Sequence, residues 1–199
     1  MKFPNQLAFT PYVNKFSLGF TIIELMIVLA IASVLLMFSV PTFVSSSVKS
    51  SIRANMGNLS SDLAYARSSA ITRSNSVSLC PSNVSITPQA CGNGTWEDGW
   101  LTFFDDNDSG VLDSGEEIIR VSPSVGRNVS IRLDNSIRFS SRGLTNNVSE
   151  FVFCNSQDDS AFYAKSLVIN LAGLIRTSRD TDSDGVQNGG EGGGNLSCL

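Results

Sequence analysis

FTIIELMIVLAIASVLLMFSV, residues Phe20–Val40, is the stretch on which the fold of this chain turns. At roughly 1.5 Å of rise per residue, about twenty apolar residues make a helix able to cross the hydrocarbon core of a bilayer. A secretory signal has a shorter apolar core, with its small-residue cleavage site after that core. Here the small residue, Gly19, stands before the core, so cutting there removes the polar part and keeps the apolar part. Glu24 interrupts the run with a carboxylate, where an isolated charge is costly. Two readings account for it: the carboxylate lies shallow enough to reach interfacial water, or it meets a counter-charge.

Downstream of Pro41, a residue that removes a backbone donor and can kink a helix, the apolar pattern changes but does not stop. Val44, Val48, Ile52, Met56, Leu59, Leu63, Ala66 and Ala70 recur at steps of three and four, with Lys49, Arg53, Asp62 and Arg67 between them. That spacing predicts one apolar stripe on a helix. The reading is a single helix over 20–73, with 20–41 in the membrane and the remainder packed on a sheet. Ser45, Ser46 and Ser47 are weak helix formers and leave open a separate second helix. From Ser76 the period shortens to strand-like runs at 77–80, 100–104, 117–121, 129–133, 137–139, 151–154 and 165–170, parted by Gly, Asn, Asp and Ser. The fold class is α+β, with a long N-terminal helix on a mostly antiparallel β-sheet domain over 74–199. Its last stretch, 180–199, is rich in Gly, Asp and Asn and reads as a loose loop tethered by Cys198.

Charge and composition narrow the function. The formal charge is −4; residues 1–19 hold Lys2 and Lys15 and no acid, so the remainder has 12 basic against 18 acidic side chains, or −6. Bulk attraction to nucleic acid is not expected of such a chain. With no histidine, Ser-His-Asp and Cys-His nucleophile pairs and His-ligated zinc are excluded, and the expectation is no enzyme and no required cofactor. Cys80, Cys91, Cys154 and Cys198 all follow the apolar run and form no CxxC pair. In an exported domain an even number favours disulfides over buried thiols. Local pairing gives Cys80 with Cys91, closing a loop around Pro81 and Pro88, and Cys154 with Cys198, anchoring the tail.

Gly19-Phe20-Thr21-Ile22-Ile23-Glu24-Leu25 resembles the class III signal of type IV pilins and type II secretion pseudopilins, with its glutamate at the fifth position after the glycine. Pro41 falls where such pilins carry a proline. The resemblance implies removal of a leader, 1–19, by a prepilin peptidase cutting between Gly19 and Phe20, N-methylation of Phe20, and a single pass through the inner membrane with the globular domain in the periplasm. It also implies a role for Glu24 in filament assembly, paired with the Phe20 ammonium of another subunit so that two buried charges neutralise each other. Trp96-Glu97-Asp98-Gly99-Trp100-Leu101-Thr102-Phe103-Phe104-Asp105, followed by Gly115-Glu116-Glu117-Ile118-Ile119-Arg120, resembles the GspH/FimT family of minor pilins and pseudopilins. Trp100 and Phe104 also read simply as alternating core residues of a hairpin strand. The implied function is a structural subunit, with other pilins or pseudopilins as partners, that helps assemble or prime a type IV pilus or a type II secretion pseudopilus. The two filament types share this signal and are not separated by it.

Three further features carry candidate chemistry. Asp180, Asp182 and Asp184, then Gly185 and Glu191, have the spacing of a calcium loop, with oxygens at alternate positions, a turn glycine and a distal carboxylate. No amphipathic helices flank them, and a solvated tail is the competing reading. Asp105, Asn107, Asp113 and Glu116 fit the same register around Ser109 and Gly110, and a hairpin loop explains them more cheaply. Some FimT-type pilins bind DNA through a C-terminal Gly-Arg-x-Arg motif, and the matching stretch is Gly173-Leu174-Ile175-Arg176-Thr177-Ser178-Arg179. Leu174 replaces the first arginine, Arg176 matches and Arg179 is a substitute. With Arg120, Arg127, Arg132, Arg138 and Arg142 nearby in sequence, the alternative function is DNA uptake in natural transformation; the competing reading is a solvent-facing row of arginines.

Overall fold

The structure, a computed structural model, describes residues 19–199 apart from Arg127, Asp134, residues 158–160, 191–192 and 199, and apart from the side chains of 38–42. The chain divides into two units, one running to Phe43 and the other spanning Val44–Leu199. One helix, α1 (Ile22–Arg73), enters both. It is helical through Pro41 and through Ser45–Ser47, so no separate second helix forms.

In the first unit the described residues of α1 are largely exposed. Ile22, Leu25, Met26, Leu29, Leu36 and Met37 are all more than half exposed. The apolar part with described side chains stops at Met37, and among the described residues no helix is long and apolar enough to cross a membrane. The rest of the apolar run, residues 38–40, lies outside the described side chains.

In the second unit the stripe of α1 is buried: Ile52, Leu59, Leu63, Ala66 and Ala70 are fully enclosed, and Val48 and Met56 pack at the margin. The helix stops in a left-handed turn at Ser74 (φ 52°), where the N–H of Asn75 returns to Ala70 O at 3.2 Å and that of Ser74 to Ile71 O at 3.4 Å. This double bond satisfies carbonyls the helix end would otherwise leave open.

The strands are β1 (Val77–Pro81), β2 (Trp100–Phe104), β3 (Ile118–Ser122), β4 (Val129–Arg132), β5 (Ile137–Phe139), β6 (Ser149–Asn155), β7 (Lys165–Ile169) and β8 (Ile175–Thr177). The antiparallel β-sheet domain read from the sequence consists of two four-stranded sheets, ordered β3-β2-β1-β5 and β4-β6-β7-β8, with antiparallel pairing throughout. Register puts Val77 opposite both Phe104 and Phe139, and Phe151 opposite Leu167. Strand β2 is buried on both faces. Trp100 and Phe104 join the core with α1, while Leu101 and Phe103 pack with Cys80, Val84, Cys91 and Leu112. That second face is why β2 reads as a continuous apolar run rather than a clean alternation.

Candidate functional site

The N-terminal signal is built around the first turn of α1. Thr21 caps it: its Oγ1 accepts the Glu24 N–H at 3.2 Å, and its carbonyl accepts the Leu25 N–H at 3.2 Å. Glu24 therefore sits in the first turn, where a carboxylate faces the positive end of the helix dipole. The Thr21-x-x-Glu24 spacing is a capping signature that the reading of Glu24 as a pairing charge overlooked. Gly19 and Phe20 lie just upstream of the helix, and both are exposed. Residues 1–18 lie outside the described residues.

The two acidic loops are closed by their own amides. In the β2–β3 hairpin, Asp105 is buried and accepts Ser78 Oγ at 2.5 Å, Ser109 N–H at 2.8 Å and Gly110 N–H at 2.8 Å. Glu116 accepts the N–H groups of Asp106 at 3.0 Å and Asp113 at 2.8 Å, while Asn107 donates to Asp113 at 2.8 Å. In the tail, the carboxylate oxygens of Asp180, Asp182 and Asp184 lie within 4.8 Å of one another. Asp180 accepts from the N–H groups of Ser183 at 2.7 Å and Gly185 at 3.1 Å. The Val186 N–H and then the Asn195 amide hold the Asp184 carboxyl below its usual range. Glu191, the distal residue of the calcium spacing, lies outside the described residues.

The tail is not the loose loop its composition suggests. Asn188, 4% exposed, is its hub: its Oδ1 accepts the Thr181 N–H at 2.6 Å and its Nδ2 donates to Gly193 O and Asn195 Oδ1, both at 3.1 Å. Leu196 is buried with Cys154 and Ala164, and the Gly190 N–H donates to Glu150 at 3.1 Å. The order comes from a buried amide and a short apolar anchor, which a glycine-rich composition conceals. The disulfides join Cys80 to Cys91 and Cys154 to Cys198, with Cα separations of 5.4 and 5.9 Å. The first pins the loop over β2; the second ties the tail to β6.

Among the described residues, three of the arginines from Arg120 to Arg142 are engaged within the fold. Arg120 is committed to buried Asp62 and to the Tyr65 ring at 4.3 Å; Arg138 pairs with Asp108; Arg132 has a partner as well; and Arg127 lies outside the described residues. Arg176 and Arg179 are exposed on the rim of an open groove of about 660 Å³ between β8 and Gly189, Gly190 and Gly193. Strand β8 itself was not read from the sequence, because Ile175 is its only apolar residue.

An exposed apolar helix that begins at a capped Phe20-Thr21 and continues into a β-rich domain defines a pilin-like protein, and residues 14–40 match the prokaryotic N-terminal methylation motif. Residues 55–173 match the family described as type II transport protein GspH, and the chain belongs to that family. Two crystal forms of the type IV minor pilin FimU of Pseudomonas aeruginosa are similar to it, at 19% and 20% identity and TM-scores of 0.49 and 0.46. Each alignment covers 64% of this chain, and 88% and 92% of the respective FimU chain. No curated protein matches the chain.

Proposed function

We infer that this chain is a minor pilin or pseudopilin, a structural building block that helps assemble or prime a type IV pilus or a type II secretion pseudopilus. The observation that carries this reading is the first unit of α1. Its large apolar residues are exposed from Phe20 (84%) to Met37 (78%) around the whole helix. A helix apolar all round is stable only when lipid or other helices cover it. Membership in the family and the methylation motif at 14–40 support both coverings in sequence: the inner membrane first, then neighbouring pilins in a filament.

The steps follow from the chemistry of the first turn. A prepilin peptidase cuts after the accessible Gly19, and Phe20 becomes the N-terminal, methylated amine. With residues 20–41 in the membrane, the Val44–Leu199 unit stands in the periplasm. Glu24 is tolerable near the membrane surface because its carboxylate lies in the first turn, at the positive end of the helix dipole. On entry into the filament its carboxylate meets the Phe20 ammonium of a neighbour, so that correct stagger neutralises both charges.

The test is incorporation. Glu24→Ala is expected to leave the amount of membrane-extracted protein unchanged while reducing its yield in sheared filaments, or its cross-linking to other pilins, at least tenfold. Incorporation at the wild-type level by Glu24→Ala would contradict the charge-pairing account.

A further inference from the structure

Lysine occurs at positions 2, 15, 49 and 165 only, so a chain cut after Gly19 keeps two lysines, Lys49 and Lys165. The fold brings both to one place. Lys49 lies on α1 with Arg53 one turn further along the same face. Lys165 opens β7 directly after the 3₁₀ turn Ala161–Tyr163. The Lys49 ammonium stands 5.6 Å from the ring centroids of both Phe162 and Tyr163, which pack edge to face at 5.2 Å. Tyr163 is half-buried against the core, whereas Phe162 is 55% exposed. Burial, then Arg53 and then Lys49, holds the Lys165 ammonium below its ordinary pKa.

No counter-ion relieves this crowding among the described residues. Arg73, Arg120 and Arg138 each have a carboxylate partner, and Lys49, Arg53 and Lys165 have none. The acidic tail loop borders the patch through Gly185, where a Cβ would lie 3.6 Å from the Phe162 ring. Its carboxylates at Asp180 and Asp184 are held by the loop's own amides and by Asn195 rather than by these cations.

We propose that Lys49, Arg53 and Lys165, with Phe162 at their rim, bind the phosphate of an anionic phospholipid headgroup at the periplasmic face of the inner membrane. The inference rests on the reading that residues 20–41 span that membrane. Lys49 follows Val40 by nine residues. Covalent connection alone therefore keeps the patch within roughly 30 Å of the end of the apolar run, whatever the arrangement of the two units. Lysine is a compact point charge suited to phosphate, and an exposed aromatic beside basic residues is the composition of a membrane–water interface. A phosphate supplies the counter-charge that the described residues do not give the three cations, and the acyl chains of the same lipid accommodate the Phe162 ring. The contact holds the subunit against the bilayer before assembly, and leaving the membrane for the filament breaks it.

The two lysines make the test direct. The mature full chain is inserted into nanodiscs of phosphatidylcholine alone, or of phosphatidylcholine with phosphatidylglycerol, and acylated with a water-soluble amine reagent; peptide mass spectrometry reads Lys49 and Lys165 separately. An anionic surface attracts each cation and keeps its ammonium protonated, so acylation of both lysines is expected to slow about tenfold in phosphatidylglycerol discs. Arg53→Gln, an exposed residue without an ion pair among the described residues, should remove most of that protection, whereas Arg142→Gln should leave it intact. Equal rates in both discs, or protection unaffected by Arg53→Gln, would overturn the proposal. So would equal protection by millimolar inorganic phosphate in phosphatidylcholine discs, which would assign the patch to a free anion. Protection seen only after other pilin subunits are added would give it to a protein partner instead. Failure of the wild-type chain to enter either disc would contradict the membrane reading itself, and the headgroup site with it; insertion with equal labelling overturns the headgroup site alone.

Discussion

Asp62, 6% exposed on α1, accepts the Trp100 indole N–H at 2.9 Å, the Ser122 hydroxyl and the Arg120 guanidinium, so one carboxylate ties the helix to β2 and β3. Asp62→Ala leaves those donors without their acceptor and is expected to destabilise the domain by about 3–5 kcal/mol. Thermal unfolding of the detergent-solubilised mature chain, followed by tryptophan fluorescence, measures this, since Trp96 and Trp100 both lie in the domain core. Thr102 provides the contrast: its hydroxyl is buried without a hydrogen-bond partner among the described residues, so Thr102→Val is expected to leave the melting temperature unchanged or raise it. Lys165 gives a pH dependence. Its folded-state pKa lies below the ordinary 10.5, so in the window between the two values the unfolded chain holds more protons and stability rises with pH. Lys165→Gln is expected to flatten that rise in melting experiments run across the alkaline range below pH 10.5.

Two surface turns are joined through α1 at the scale of elements. The Arg67 guanidinium donates to Gly143 O at 3.1 Å and to Ala172 O at 2.9 Å, linking the β5–β6 and β7–β8 connections. Gly173 has φ +69°, and a Cβ there would lie 2.1 Å from Gly143 O, so both conformation and space require glycine. Gly173→Ala is expected to cost more than about 2 kcal/mol, read from the same fluorescence melt. The helix was legible because its apolar steps of three and four continue from Val48 to Ala70, and strands β2 and β5 because short apolar runs end at turn residues. Strand β8 was not, having one apolar residue, and nothing local tells two sheets from one, since pairing of β1 with β5 or β4 with β6 is a long-range choice. At the site, the Gly19–Glu24 motif was visible through its resemblance to the pilin signal and the cysteine pairs through their local spacing, whereas the engagement of Arg120 by Asp62 depends on tertiary neighbours. Lys49, Arg53 and Lys165 were passed over because more than a hundred residues separate the last from the first two.

On the scale of the whole molecule, an enclosed domain continues from an apolar helix whose described residues are largely exposed, and the disulfides and the Asn188 hub tie the domain's loops and tail together. The tail provides a test of these ties. Asn188→Ala is expected to raise amide hydrogen exchange across residues 180–196, while a chelator leaves the wild-type exchange unchanged; a chelator effect as large as that of Asn188→Ala would assign the order of the tail to a bound cation. The exposed helix leads to the central claim, that this chain becomes a filament subunit by losing its leader and keeping its apolar segment. Intact-mass and N-terminal peptide analysis of the membrane-extracted protein tests it most directly. The account predicts a chain beginning at Phe20 and carrying one added methyl group; a chain that retains Met1, or one that begins beyond residue 40, would contradict it.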